Sequence, residues 1–162
     1  MPNLRNSTLV FLVKRSEGNI SHICLAMKKR GFGVNKYNGA GGKVEDDEEI
    51  EHAARREAAE EIGVLVRDMN KVGELAFYFP HNPAWDQLVH VYLAESWEGD
   101  PAESEEMKPQ WFHVGEIPFD SMWPDDAFWL PEVIQENLVQ ACFTFGEGDV
   151  IQDKHVQIVR EI

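Results

Sequence analysis

The sequence is poor in cysteine, in positive charge and in long apolar runs. Of its 162 residues only two are cysteines, Cys24 and Cys142, and their apolar neighbours predict buried free thiols over a disulfide or metal site. It has 15 Lys and Arg against 29 Asp and Glu, a net charge of −14. Clustered cations for nucleic-acid binding are therefore not expected. No apolar stretch approaches bilayer length and no signal peptide is evident, so we expect no membrane partner and a cytoplasmic protein.

What the chain does contain is enough apolar material for one core. Hydrophobic residues make up 43% of it, which predicts a single globular domain over residues 1–162. Apolar runs predict strands at 7–14, 20–27, 72–79, 87–94, 110–114, 142–145 and 156–159. Helices are predicted at 49–61, ended by Gly63, and from a cap at Asp126 to about Gln140. Interleaved strands and helices indicate an α/β fold, a mixed sheet covered on both faces.

The first of these helices carries a cluster of carboxylates. Glu57, Glu60 and Glu61 stand at i, i+3 and i+4, so they share one helix face. Like charges placed this way repel each other, and a hard divalent cation would relieve the repulsion. The alternative is an ordinary solvated acidic face, which is the usual role of a charge run.

Glycines and charged residues around this helix follow a distinctive spacing. The matching positions are Gly42, Glu48, Arg56, Glu57, Glu60, Glu61 and Gly63. In this spacing the chain resembles the Nudix hydrolase family at its Nudix box. The resemblance implies a Nudix-type α/β/α sandwich with a mixed sheet between helices. It also implies hydrolysis of a nucleoside diphosphate linked to another group.

The same resemblance implies how the helix would work. The family binds Mg²⁺, for which Mn²⁺ can substitute, on the carboxylates that correspond to Glu57, Glu60 and Glu61. A backbone carbonyl of Gly41 or Gly42 would complete the metal site, and Glu60 or Glu61 would double as the general base.

Three further charged residues have candidate roles. Arg56 and Glu48 are expected to form a bidentate pair that fixes the loop to the helix, or else an exposed salt bridge worth less than about 1 kcal/mol. Glu106 resembles the extra catalytic, metal-binding glutamate of several family members. Its alternative is a solvated acidic loop.

Three segments narrow the resemblance. KKRGFGVNKYNGAGGKVE (28–45), ESEEMKPQWF (103–112) and MWPDDAFWLP (122–131) are similar to the mammalian MutT homologues, the branch that hydrolyses oxidised purine nucleoside triphosphates. The implied base pocket consists of Asn38, Trp123, Asp125 and Asp126, floored by Phe32, Phe77 and Phe79, with Thr8, Lys28 and Met107 at the rim.

The chemistry of that pocket is coherent. Trp123 offers an aromatic face for stacking, and Asn38 can both donate and accept. Adjacent Asp125 and Asp126 should not both ionise, so one pKa is expected to rise and the pair can read purine edges by exchanging a proton. The alternative for Trp123 is a tryptophan of the hydrophobic core, and the alternative for Asp125 and Asp126 is a helix N-cap.

One segment departs from the family pattern. HNPAWDQLVH (81–90) is longer and more polar than its counterpart, and Gln87 stands where the family has a methionine. The predicted function is Mg²⁺-dependent hydrolysis of oxidised purine nucleoside triphosphates, such as 8-oxo-dGTP and 2-hydroxy-dATP, by a monomer whose only partner is the nucleotide. The alternatives are a Nudix hydrolase of dinucleoside polyphosphates or ordinary nucleoside triphosphates, and a non-catalytic nucleotide sensor.

Overall fold

The computed structural model describes residues 4–162, which form a mixed sheet with an α-helix packed on each face. The strands are β1 (Arg5–Ser16), β2 (Asn19–Lys28), β3 (Tyr37–Asn38), β4 (Leu65–Tyr78), β5 (Gln87–Glu98), β6 (Met107–His113), β7 (Leu138–Gly146) and β8 (Val150–Val159). The helices are α1 (Ile50–Ile62) and α2 (Asp126–Ile134). The sheet order is β3-β2-β1-β5-β4-β7-β8, and β6 pairs with β2. The predicted α/β/α sandwich is confirmed.

Strand β1 explains why the two helices lie on opposite faces. Its neighbours are antiparallel β2 and parallel β5, so it lies inside the sheet, and its side chains alternate between the two faces. Val10 and Leu12 pack in one core with Ala58 of α1. Phe11 packs in the other core, where its ring lies 6.1 Å from Trp129 of α2.

The helix ends were predicted with unequal success. Helix α1 ends as expected at Gly63, whose φ is 71° and whose N–H donates to the Ala59 carbonyl at 3.1 Å. The predicted end of α2 near Gln140 is wrong, because Glu136 takes a left-handed φ of 69° and β7 then begins. The predicted cap is also wrong. Asp125, not Asp126, occupies the N-cap position, and its side chain makes no capping bond.

Several strands are longer than their apolar runs. Strand β4 begins at Leu65 and β8 at Val150, each ahead of the expected start at residues 72 and 156. Register shifts interrupt the β4–β5 pairing, and most of β8 is exposed at the sheet edge, so neither stretch shows a regular apolar alternation. Within the described chain, neither α1 nor α2 is long and apolar enough to cross a membrane.

Candidate active site

A glycine-rich loop lies along β1 and is held there by backbone hydrogen bonds. The N–H of Thr8 donates to the Gly42 carbonyl at 2.9 Å, and Val10 and Ala40 exchange bonds of 2.7 and 3.0 Å. A Cβ at Gly41 would lie 1.8 Å from the Thr8 carbonyl oxygen. Glycine is therefore required at Gly41 for the loop to reach the strand.

The loop also contacts two carboxylates of α1. An oxygen of Glu61 accepts the Gly41 N–H at 2.7 Å, and a Cβ at Gly42 would lie 2.6 Å from the Glu57 carboxyl carbon. Burial raises the pKa of Glu61 to about 7, although the Gly41 N–H and Lys28 oppose the rise. Burial also raises the pKa of Glu57. In both cases burial outweighs the neighbouring cations, Arg56 beside Glu57 and Lys28 beside Glu61.

Glu60 is placed differently from its two neighbours on α1. Its side chain is 59% exposed and accepts from Arg56 Nη1 at 3.3 Å. Among residues 4–162 no three acidic, histidine or cysteine side chains are arranged to hold a metal ion. Glu57 and Glu61 are nonetheless hard oxygen donors beside a backbone loop, a donor set that suits Mg²⁺ or Mn²⁺. The structure therefore brings two of the three predicted helix ligands under the loop.

Arg56 connects the helix to the chain that precedes it. Its Nε and Nη2 donate to the two oxygens of Glu48 at 2.7 and 3.0 Å, which is the predicted bidentate geometry. Arg56 also donates to the Lys43 carbonyl at 3.1 Å and to Glu57 at 2.9 Å. The guanidinium holds the pKa of Glu48 at about 2, helped by the Glu45 N–H. Arg56 thereby fixes the orientation of Glu57 relative to the loop.

The acidic loop before β6 reaches the same region through two cations. Glu106 pairs with Arg30 at 2.6 Å and with Lys28 at 3.4 Å. The Lys28 ammonium also lies 3.9 Å from Glu61, so it bridges the two carboxylates. Arg30, followed by Lys28, lowers the pKa of Glu106. Glu106 therefore lies at the edge of the carboxylate site and not in free solvent.

One cavity of about 680 Å³ opens beside this loop. Most of the predicted site residues line it. They are Thr8, Lys28, Phe32, Asn38, Gly41, Gly42, Glu61, Phe77, Phe79, Glu106, Met107, Trp123, Asp125 and Asp126. Four predicted residues, Glu48, Arg56, Glu57 and Glu60, lie outside the lining. The residues of the predicted base pocket therefore share one cavity with Glu61 and Glu106.

Asp125 and Asp126 form a buried acidic pair in the cavity wall. Each is 3% exposed, and Asp125 accepts from the indole N–H of Trp129 at 2.8 Å. Burial raises the pKa of Asp125 to about 6, against this bond and a bond from Asp126. Burial and repulsion from Asp125 raise the pKa of Asp126 well above its ordinary value. Burial, more than the predicted repulsion, favours the protonated forms of both side chains.

One oxygen of this pair has no protein partner. Among the described residues, Oδ2 of Asp126 is buried and makes no hydrogen bond. An unpaired buried oxygen is costly unless a ligand satisfies it. Asn38, which also lines the cavity, accepts the Gly39 N–H at 2.9 Å, which leaves its amide NH₂ to donate.

Aromatic rings from three parts of the chain meet at the cavity. Phe32 stacks on Trp123 with centroids 5.0 Å apart and an interplanar angle of 28°. The ring centroid of Phe32 also lies 5.1 Å from that of Trp85 and 6.1 Å from that of Phe79. The ammonium of Lys36 lies 5.1 Å from the Trp123 ring centroid. The aromatic group at the cavity thus includes Trp85, with Lys36 beside it, and neither was among the predicted site residues.

Sequence reasoning missed several lining residues. They include Arg5, Lys36, Lys43, Trp85, Trp129 and Phe145. Trp129 follows Asp125 by four residues, so the helical spacing could have identified this pair. Nothing in the sequence brings Trp85 or Lys36 towards Trp123, because only the folded sheet places them together.

Comparisons with known proteins bear on the family and the fold of the chain. A sequence model of the NUDIX domain matches residues 3–133. The "Oxidized purine nucleoside triphosphate hydrolase" of Danio rerio is 43% identical over 155 residues, covering 96% of each chain. The protein of that description from Mus musculus is 45% identical, covering 80% of this chain and 82% of its own. A MutT protein of Bacillus halodurans has the same fold, with a TM-score of 0.81 at 20% identity over 95% of this chain and 98% of its own.

Proposed function

Since the chain belongs to the NUDIX family, we propose that it hydrolyses oxidised purine nucleoside triphosphates, such as 8-oxo-dGTP and 2-hydroxy-dATP, to the monophosphate and pyrophosphate. Its role would be to clear these nucleotides from the pool that polymerases use. The observation that carries the proposal is the single cavity that joins a buried acidic pair and Trp123 to the glycine loop and Glu61. Such a cavity can hold a purine at one end and its phosphates at the other.

The carboxylate end of the cavity supports a divalent-cation site. Glu57 and Glu61 would hold Mg²⁺ or Mn²⁺ together with a carbonyl of Gly41 or Gly42, with Glu60 and Glu106 as further ligands. A bound cation neutralises charge on the phosphates and favours ionisation of the attacking water. Burial raises the pKa of both Glu57 and Glu61, and a bound cation would favour their ionised forms in this position.

Residues of the chain then orient the reactants. Arg56 holds Glu57 towards the loop through its bonds to Glu48 and the Lys43 carbonyl. Lys28 lies between Glu61 and Glu106, so its ammonium is placed to receive phosphate oxygens. Glu61, which is buried and accepts the Gly41 N–H at 2.7 Å, is the carboxylate proposed to accept a proton from water.

The other end of the cavity supports recognition of the base. With one proton on the pair, Asp126 donates while Asp125 accepts, and the proton can redistribute to match the edge of a different purine. Asn38, in the same cavity, can donate from its amide NH₂, and Trp123 supplies a stacking face. This arrangement can read oxidised purines whose donor and acceptor patterns differ.

The cellular setting is also proposed. Two free cysteines are consistent with a single-domain, monomeric enzyme of the cytoplasm. Burial raises the pKa of the Cys24 thiol to about 11, so this thiol is unreactive. The solution mass of the full chain tests the monomer.

A pyrophosphate-release assay with Mg²⁺ tests the activity. The substrates are 8-oxo-dGTP, 2-hydroxy-dATP, dGTP and dATP at low concentration, with Glu61→Gln as the control variant. We expect preference for the oxidised pair and loss of release in the variant. Equal rates on oxidised and ordinary nucleotides would refute the proposed substrate. No release from any of them would refute the reaction and direct the search to dinucleoside polyphosphates or to a sensor.

A further inference from the structure

Trp85 lies at the cavity although it belongs to the segment that departs most from the family pattern. It ends the short helical turn Pro83–Trp85 between β4 and β5. The backbone N–H of Trp85 donates to the Asn82 carbonyl at 3.0 Å, and the side-chain amide of Gln87 donates to the Trp85 carbonyl at 3.3 Å. Asp86 closes the same turn by accepting the Phe79 N–H at 2.7 Å. These bonds fix the backbone of the turn that carries the indole.

Phe32 connects Trp85 to the proposed stacking surface. Its ring contacts Trp85 at 5.1 Å and Trp123 at 5.0 Å, and yet the side chain is 46% exposed. Stacked rings 5.0 Å apart leave no space for a planar base, since each layer takes about 3.5 Å. A purine that stacks on this face of Trp123 must therefore displace Phe32.

The displaced Phe32 ring needs another aromatic surface. Trp85 already contacts it. The ring centroid of Phe79 lies 6.1 Å from that of Phe32 and 5.6 Å from that of Trp85. A Phe32 ring that moves towards Trp85 keeps its aromatic contact and forms one wall of a box whose opposite wall is Trp123. Without Trp85 the same movement would expose the ring to water.

We propose that Trp85 is a specificity-determining residue of the base pocket, where it holds Phe32 against a purine stacked on Trp123. The inference rests on the proposed function, because it takes the base of the nucleotide as the occupant of the cavity. Its effect should be confined to binding of the base, since Trp85 belongs to the aromatic group and makes none of the contacts of the glycine loop.

Calorimetric titration of the full chain separates the two ends of the cavity. The ligands are the nucleoside 8-oxo-2′-deoxyguanosine, which has no phosphate, and pyrophosphate with Mg²⁺. In Trp85→Ala the Kd of the nucleoside should rise about three- to tenfold, the effect of one aromatic pair, while the Kd of pyrophosphate changes less than about twofold. Trp85→Phe should stay within about twofold of the wild type for both ligands.

Controls distinguish a local effect from a general loss of structure. Trp97→Ala removes a tryptophan that stacks on Trp111, away from the cavity lining, and should leave both Kd values unchanged. Trp85→Leu keeps apolar bulk without an aromatic face, so it should weaken nucleoside binding even if the alanine variant folds poorly. Phe32→Ala combined with Trp85→Ala should weaken binding no further than Phe32→Ala alone, because the two rings act as a unit.

Each outcome has a definite meaning. Unchanged nucleoside affinity in Trp85→Ala and Trp85→Leu, with binding intact in the wild type, overturns the inference alone. An equal rise in both Kd values also overturns it, because Trp85 would then be only structural. A wild-type chain that binds pyrophosphate but no purine nucleoside refutes the proposed function itself.

Discussion

The buried pair Asp125 and Asp126 makes a quantitative prediction about pH. A pKa of about 6 for Asp125 in the folded chain, against its ordinary value of 3.8, corresponds to about 3 kcal/mol. The sign follows from proton counting. The folded pair keeps protons that the unfolded chain releases near pH 4, so the contribution of the pair to the free energy of unfolding falls as pH rises from 4 to 7. Asp126, whose pKa is also raised well above its ordinary value, changes stability in the same direction.

The reference for this measurement is the double variant Asp125→Asn/Asp126→Asn, which keeps the side-chain shapes and cannot ionise. Urea unfolding at constant ionic strength, from pH 4 to pH 7, gives the free energy of unfolding of both proteins. Other titrating groups cancel in the difference. We expect wild-type stability relative to the variant to decrease by at least about 3 kcal/mol across this range. A flat difference, or one that increases with pH, would refute the buried shared proton.

Three further predictions concern activity on the oxidised substrates. Gly42→Ala should lower kcat about 100-fold or more, because its Cβ would displace the Glu57 carboxylate, and unchanged circular dichroism would exclude unfolding as the cause. Arg56→Lys should lower kcat about 10- to 100-fold by removing the fork that binds Glu48; activity near the wild-type level would show that the pair is only a surface salt bridge. The ratio of kcat/KM for 8-oxo-dGTP to that for 2-hydroxy-dATP should change between pH 5 and pH 7.5 and be constant in Asp125→Asn, whereas a constant wild-type ratio would contradict proton exchange.

The parts of the fold that could be predicted are those with a local cause. Helix α1 is rich in Ala, Glu and Arg and ends at a glycine, so its limits were correct to within a residue. The early end of α2 depends on a left-handed φ at Glu136, a residue type for which nothing local indicates that conformation.

The candidate site follows the same division. Spacing predicted that Glu57, Glu60 and Glu61 share a helix face, yet only the fold determines that Glu61 is buried under the Gly41 N–H while Glu60 is exposed. Trp85 joins the proposed base pocket through a turn whose position depends on β4 and β5. Such contacts between distant segments cannot be read from local sequence.

The pairing of β1 has a consequence for how the chain folds. The strand contributes Thr8 to the cavity and supports the glycine loop. On one side its partner is β5, and this parallel pairing begins with Arg5 opposite Gln87, which comes much later in the chain. During synthesis β1 leaves the ribosome long before β5 exists, and β2 is the partner available to it first. Long-range parallel pairing is slow, and an unpaired strand edge is prone to aggregation. Completion of the sheet, and with it of the cavity, is therefore a late event in folding.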